Sequence, residues 1–289
     1  MKRNLFYLFL ATMLSVAVAC SEEALSDISV IKDTQREENE FDRWIISNYI
    51  IPYNIAYKYR MEDIESDMNY HLVPADYVKA KQLAKLTIHL CLGAYDEATG
   101  SRAFIAENFP KMIHIIGSSA VNNNGTEIIG QAEGGQKITL YKVNDLDLTN
   151  IVHMNTYFFH TMHHEFAHIL HQKKPYSNDF KAITPGGYRK DSWNDYNDAE
   201  ALKAGFITPY GSSAPDEDFV ELISTYITDT PAEWNTRLIV AGATGRSYIE
   251  AKFEIVDNYL RKSWNIDLNA LRDIVQYRQS TIGSLDFNF

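Results

Sequence analysis

Apolar residues recur at spacings of three and four between residues 147 and 172. Ile151, Met154, Phe158, Met162, Phe166 and Ile169 form one stripe, which predicts a long amphipathic helix with a single buried face. Asp147 and Thr149 are its candidate N-caps, and Lys173-Lys174-Pro175 closes it. Earlier, Phe41, Trp44 and Ile45 predict a short helix over 40–51, and the alternation of Tyr53, Ile55, Tyr57 and Tyr59 predicts a strand over 50–59. Pro52 puts the start of that strand at an edge or entry. Tyr77, Val78, Leu83, Leu86, Leu90 and Ala94 predict a long helix over 74–95 with a break at Gly100. A strand over 111–117, a turn at 122–125 and a hairpin of 127–132 with 137–143 around Gly134-Gly135 follow. Beyond the long stripe, 177–197 reads as a loop that shapes a pocket or simply packs. Residues 198–203 read as a helical turn stopped by Gly205. Ser213, Pro215 and Asp216 look like a helix start, and Phe219, Leu222, Ile223 and Tyr226 carry that helix on. Pro231 starts another segment, and 247–264 and 268–280 read as amphipathic helices.

Composition narrows the partners. The net charge of −11 and pI near 5.3 argue against nucleic acid. Residues 1–19 have Lys2 and Arg3 before an apolar run that ends Ala17-Val18-Ala19-Cys20. That is a targeting segment, and it resembles a bacterial lipoprotein signal. The resemblance implies cleavage before Cys20 and a diacylglycerol on its thiol, hence a lipid anchor on the outer membrane. Ser21-Glu22-Glu23 resembles a surface-export signal for such lipoproteins. Residues 20–39 are polar and acidic, a tether. Cys91 is the other cysteine, so the mature fold has no intrachain disulfide.

The long stripe also carries chemistry. His164, Glu165 and His168 spell H-E-x-x-H. Residues four apart on a helix share a face, so two imidazoles can grip one zinc ion from a rigid element. Glu165, beside the first imidazole, can reach a water on the same metal and remove its proton. His160 extends the row one turn upstream and is a decoy ligand; His153, His163 and His171 read as bystanders. A catalytic site needs a third protein ligand and an open position. Glu217 and Glu221, one turn apart on the downstream helix, suit one metal ligand and one carboxylate that steadies a ligand histidine.

H-E-F-A-H, then about fifty residues on Y-G-x5-E-D-F-V-E, resembles the gluzincin zinc metallopeptidases. It is especially similar to the lethal-factor-like group, with a tyrosine seven residues before the glutamate ligand. Within that clan the chain is most similar to zinc metallopeptidase lipoproteins associated with TonB-dependent substrate import. The resemblance makes His164, His168 and Glu217 the zinc ligands, Glu165 the general base and Glu221 the partner of a ligand histidine. Tyr210 becomes the phenol that stabilises the oxyanion. Asp216 and Asp218 flank Glu217 and leave the register open by one residue, although Glu217 alone lies one turn from Glu221.

The expected fold is α+β and zincin-like. An N-terminal subdomain (40–172) has a mixed sheet and the active-site helix; a mostly helical C-terminal subdomain (173–289) supplies Tyr210 and Glu217. The expected activity is zinc-dependent hydrolysis of peptide bonds in a peptide or protein substrate, with part of the hairpin as the rail for an extended chain. The partners are the membrane, through the lipid anchor, and a TonB-dependent import complex. Two rivals stand: an amidase or glycan deacylase using the same site, and a surface lipoprotein that binds without catalysis.

Overall fold

Asn39 starts the first helix. Its side chain accepts from the Asp42 amide at 2.8 Å, and the Asp42 carboxylate accepts from the Asn39 amide at 3.0 Å. This reciprocal pair satisfies donors that a helix start leaves open. Helix α1 comprises Glu40–Ile45, a π turn at Ile46–Ile50 and Ile51–Tyr53. The strand expected over 50–59 is therefore helical in its first part. The wide turn before Pro52 accommodates a residue that cannot donate a helical hydrogen bond. Asn54 then adopts φ 54°, and β1 is confined to Ala56–Lys58. Tyr53, Ile55, Tyr57 and Tyr59 are all buried even so, because the left-handed break resets the phase between helix and strand.

The structure, a computed structural model, describes residues 37–289 apart from 63, 64, 68, 122–126, 129 and 134. The targeting segment, Cys20, the tether as far as residue 36, and the turn at 122–125 lie outside the described residues.

Helix α2 runs through Tyr77–Thr87, a π turn at Ile88–Leu92 and Gly93–Thr99. Asp76 caps its start, and Gly100 at φ 69° stops it where the sequence places the break. After α3 (Arg102–Asn108) come β2 (Met112–Ile115), β3 (Ala120–Val121), β4 (Glu127–Ile128), β5 (Gly130–Glu133) and β6 (Lys137–Leu140). The main sheet has the order β1-β2-β6-β5. β1, β2 and β6 are parallel, and β5 returns antiparallel on β6. The expected hairpin is thus β5–β6. Residues 127–128 leave it to pair with β3 in a separate ribbon. Ile113, His114, Ile115, Ile138 and Leu140 are fully buried, as parallel strands covered on both faces require.

Helix α4 comprises Ile151–Met154, a π turn at Asn155–Phe159 and His160–Lys173. Its cap is Asn150, which accepts from the His153 amide at 2.9 Å. Asp147 and Thr149, the expected caps, bond to each other in the preceding turn instead. α5 (Asp179–Ile183) lies in the predicted loop, and α6 (Asp198–Ala204) ends at Gly205. α7 (Pro215–Thr228) begins without a side-chain cap; the Ser213 hydroxyl, expected there, is buried with no partner among the described residues. α8 (Pro231–Trp264) opens on a Thr230–Glu233 capping box and continues across a kink at Gly242, so the helix expected at 247–264 is its second half. α9 (Leu268–Ser280) follows.

The fold is mixed α/β, mostly helical with a small sheet, and Asn39–Phe289 forms one compact unit. Its main core runs from Phe41 to Ile282. α7 threads that core, with Asp218 to Thr228 buried throughout, and packs lengthwise on α4. No helix among the described residues is long and apolar enough to cross a membrane. α6 crosses α8 at Gly245, where an added Cβ would lie 2.2 Å from the Leu202 carbonyl oxygen. Gly245→Ala should therefore cost about 1–3 kcal/mol, read as a lower urea midpoint at unchanged slope.

Candidate metal centre

Pairing α4 with α7 sets the site. His164 and His168 project from one helix, Glu217 and Glu221 from the other. The His164 Nε2 lies 3.2 Å from Glu217 Oε2, and the His168 Nε2 lies 3.3 Å from the same oxygen. One ligand atom from each of these residues lies within 4.8 Å of both others. A tetrahedral ion with bonds of about 2.0–2.1 Å has ligand edges of roughly 3.3–3.4 Å, so the spacing and the two-nitrogen, one-oxygen donor set fit zinc.

The other side of each imidazole is occupied. His164 Nδ1 donates to Glu221 Oε1 at 2.7 Å, the arrangement that leaves Nε2 free for a metal. Glu221 Oε2 accepts from the Thr208 hydroxyl at 2.6 Å. His168 Nδ1 lies 3.0 Å from His171 Nε2. The neighbours of Glu217 turn elsewhere. Asp216 accepts from Tyr176 and pairs with Lys181, while Asp218 pairs with Lys252 at 2.6 Å and accepts from Tyr188 at 2.9 Å. Of the three consecutive acids, Glu217 alone faces the imidazoles.

Electrostatics follow from this packing. Burial opposes a charged His164, but hydrogen bonds to Glu217 and Glu221 outweigh it and raise its pKa to about 10. Burial likewise works against ionised Glu217, yet the two imidazoles hold it far below the usual carboxylate range. Glu221 is brought down to about 2, its burial outweighed by His160, His164 and Thr208. Burial pushes Glu165 up, against the pull of both imidazoles. For Tyr210, burial and then the carboxylates of Glu217, Glu221 and Glu165 push the phenol up, so it stays protonated. The Tyr210 ring lies 6.0 Å from that of His164 and meets Trp193 edge-on at 5.2 Å. Tyr210 and Glu165 thus join the cluster that the sequence assigns to them.

Residues 33–269 match the family described as putative zinc-binding metallo-peptidase. The chain belongs to that family. Zinc is the cofactor this membership carries, in agreement with the donor set. Among solved structures, the chain is similar to a crystal structure titled a putative zinc-binding metallo-peptidase from Bacteroides caccae. The identity is 42% and the TM-score 0.78, over 90% of this chain and 99% of that one. No curated protein matches the chain.

The remaining histidines divide. His160 stays off the metal cluster: its Nε2 lies 3.1 Å from the Ser224 hydroxyl and 3.6 Å from Glu221 Oε1. His163 is wholly buried against the Tyr95 hydroxyl, and burial drives its pKa to about 3. His171 is the residue that sequence reasoning passes over. It is buried against Tyr176 and Phe219, and burial lowers its pKa, so it stays neutral and can accept the Nδ1 proton of His168. The signal was its spacing of three from His168, which puts it over the next turn of the same face.

Two outcomes follow. In metal-free protein His164 gains stability from its raised pKa; that gain is complete below about 6.5 and is lost as pH rises through about 10. Zinc must displace the Nε2 proton, so at pH 8 calorimetry in buffers of differing ionisation enthalpy should show about one proton released per zinc bound. His171→Phe keeps the ring packing and removes the acceptor, and should weaken zinc binding by about 10–100-fold in a competitive chelator titration.

Proposed function

We propose that the chain is a zinc-dependent peptidase of the zincin type that hydrolyses peptide bonds. The observation that carries this reading is the convergence of His164, His168 and Glu217, with Glu165 on the same turn of α4. His164, His168 and Glu217 would hold the zinc ion, which would supply Lewis acidity for a water and a carbonyl.

The chain's own groups do the rest. Glu165, its pKa raised by burial, takes a proton from the attacking water and delivers it to the leaving nitrogen. Tyr210 keeps its phenolic proton and donates a hydrogen bond to the oxygen that becomes negative. Glu221 fixes the ring of His164, and His171 fixes that of His168. Trp193, edge-on to Tyr210, limits where the phenol can swing. β5 is the outer strand of the main sheet and packs beside α4. An extended peptide adding to that edge would run beside α4, the helix that carries His164 and His168.

The location and partner belong to the same proposal. Lipid on Cys20 ties the enzyme to the outer membrane, with the acidic residues after it favouring surface display. There it would trim peptides beside a TonB-dependent importer. The anchor is supported by the sequence of the first 23 residues, and the importer by the resemblance that H-E-F-A-H and Y-G-x5-E-D-F-V-E carry to import-associated lipoproteins.

Glu165→Gln should retain one zinc per chain and lose turnover by about 10²–10⁴-fold. Tyr210→Phe should also keep the metal and lower kcat by about 10²–10³-fold. Metal analysis and digestion of a peptide library, with and without chelator, read both. Full activity of Glu165→Gln would sink the mechanism, and so would normal zinc content in His164→Ala and Glu217→Ala.

A further inference from the structure

A cavity of about 500 Å³ adjoins the metal cluster. That lies within the roughly 300–1,000 Å³ range of ligand pockets. His160, Thr208 and Glu221 form the wall it shares with the centre. His160 lies one turn before His164 on α4, with ring centroids 6.1 Å apart. Glu221 bonds His164 with one carboxylate oxygen and Thr208 with the other. Helices α4 and α7 therefore border both the cavity and the metal centre, the cavity lying on the Glu221 side of His164.

The lining selects a charge. Arg237 is the single guanidinium, and it is spent on Asp229: Nε donates at 2.6 Å and Nη2 at 3.3 Å. Beyond that neutralised pair stand the carboxylates of Asp198, Glu221 and Glu233. Glu221 is compensated by His164, and Glu233 gives one oxygen to the amide and hydroxyl of Thr230. Asp198, exposed in the first turn of α6, makes no ion pair among the described residues, and the Arg237 guanidinium acts on it only through space. Val152, exposed on α4, offers apolar surface for the methylenes of a long side chain.

We propose that this cavity is a substrate pocket that takes a basic side chain, lysine or arginine, from the residue flanking the scissile bond, with Asp198 as its charge-selecting residue. The proposal rests on the peptidase reading.

The test uses the zinc-loaded full chain and blocked alanine hexapeptides carrying Lys, Arg, norleucine or Glu at one position at a time. On one side of the cut, Lys and Arg should exceed norleucine in kcat/KM by about tenfold, a factor of one charge contact partly exposed to water. Asp198→Asn should shrink that preference and Asp198→Lys should turn it toward Glu, with the norleucine peptide unchanged within about twofold. Asn197 and Glu200 keep their capping box in both variants, and melting curves check the fold. Calorimetry on zinc-loaded Glu165→Gln reads binding of the same peptides without turnover. Cleavage and binding indifferent to charge, or a preference unmoved by both Asp198 variants, overturns the pocket and leaves the peptidase standing. Charge-selective binding abolished by Asp198→Lys, with no cleavage by the parent, supports the pocket and removes the peptidase.

Discussion

The hydrogen bond between His164 and Glu221 ties the two halves of the site together. It is short, at 2.7 Å, and nearly removed from water, with Glu221 only 4% exposed. A carboxylate buried to that depth is costly unless every oxygen is answered. Here one oxygen meets His164 and the other meets Thr208. The bond can form only when α4 and α7 lie side by side, and it sets the ring orientation that turns Nε2 toward Glu217. Core packing and metal geometry are therefore one constraint.

Apolar packing surrounds that polar seam and decides which side chains reach it. Tyr176 stacks on Phe219 with centroids 4.0 Å apart, and Phe180 meets Phe219 edge-on. This aromatic group holds His171 behind His168. It also draws Tyr176 toward Asp216. Lys252, buried and near the Phe206 ring, takes Asp218. Successive residues of a helix point about 100° apart. With its two neighbours bound on either side, Glu217 is left facing the histidines.

The π turn at Asn155–Phe159 contributes upstream. It adds a residue to one helical turn, and the adjacent Phe158 and Phe159 are both fully buried. The histidines that follow are thereby set in phase with α7, while the earlier part of α4 lines the neighbouring cavity. Similar wide turns let α1 pass Pro52 and let α2 run on to Gly100.

By itself the sequence determined whatever depends on local spacing. The stripe from Ile151 to Ile169 specified α4, the i, i+4 pair specified two converging imidazoles, and Gly100 and Gly205 specified helix ends, because each is a property of a few adjacent residues. Near misses were local contests of nearly equal free energy: Asn150 over Thr149 as a cap, and helix over strand at 51–53. Tertiary structure decided what depends on meetings across the chain. The strand order, the choice of Glu217 among three consecutive acids, the support of His168 by His171 and the cavity walled by Asp198 and Arg237 all arise from packing between elements distant in sequence. A periodic pattern says which face of a helix is buried. It does not say what that face will touch, since hydrophobic burial has no direction and only the complete set of packed elements fixes the partners.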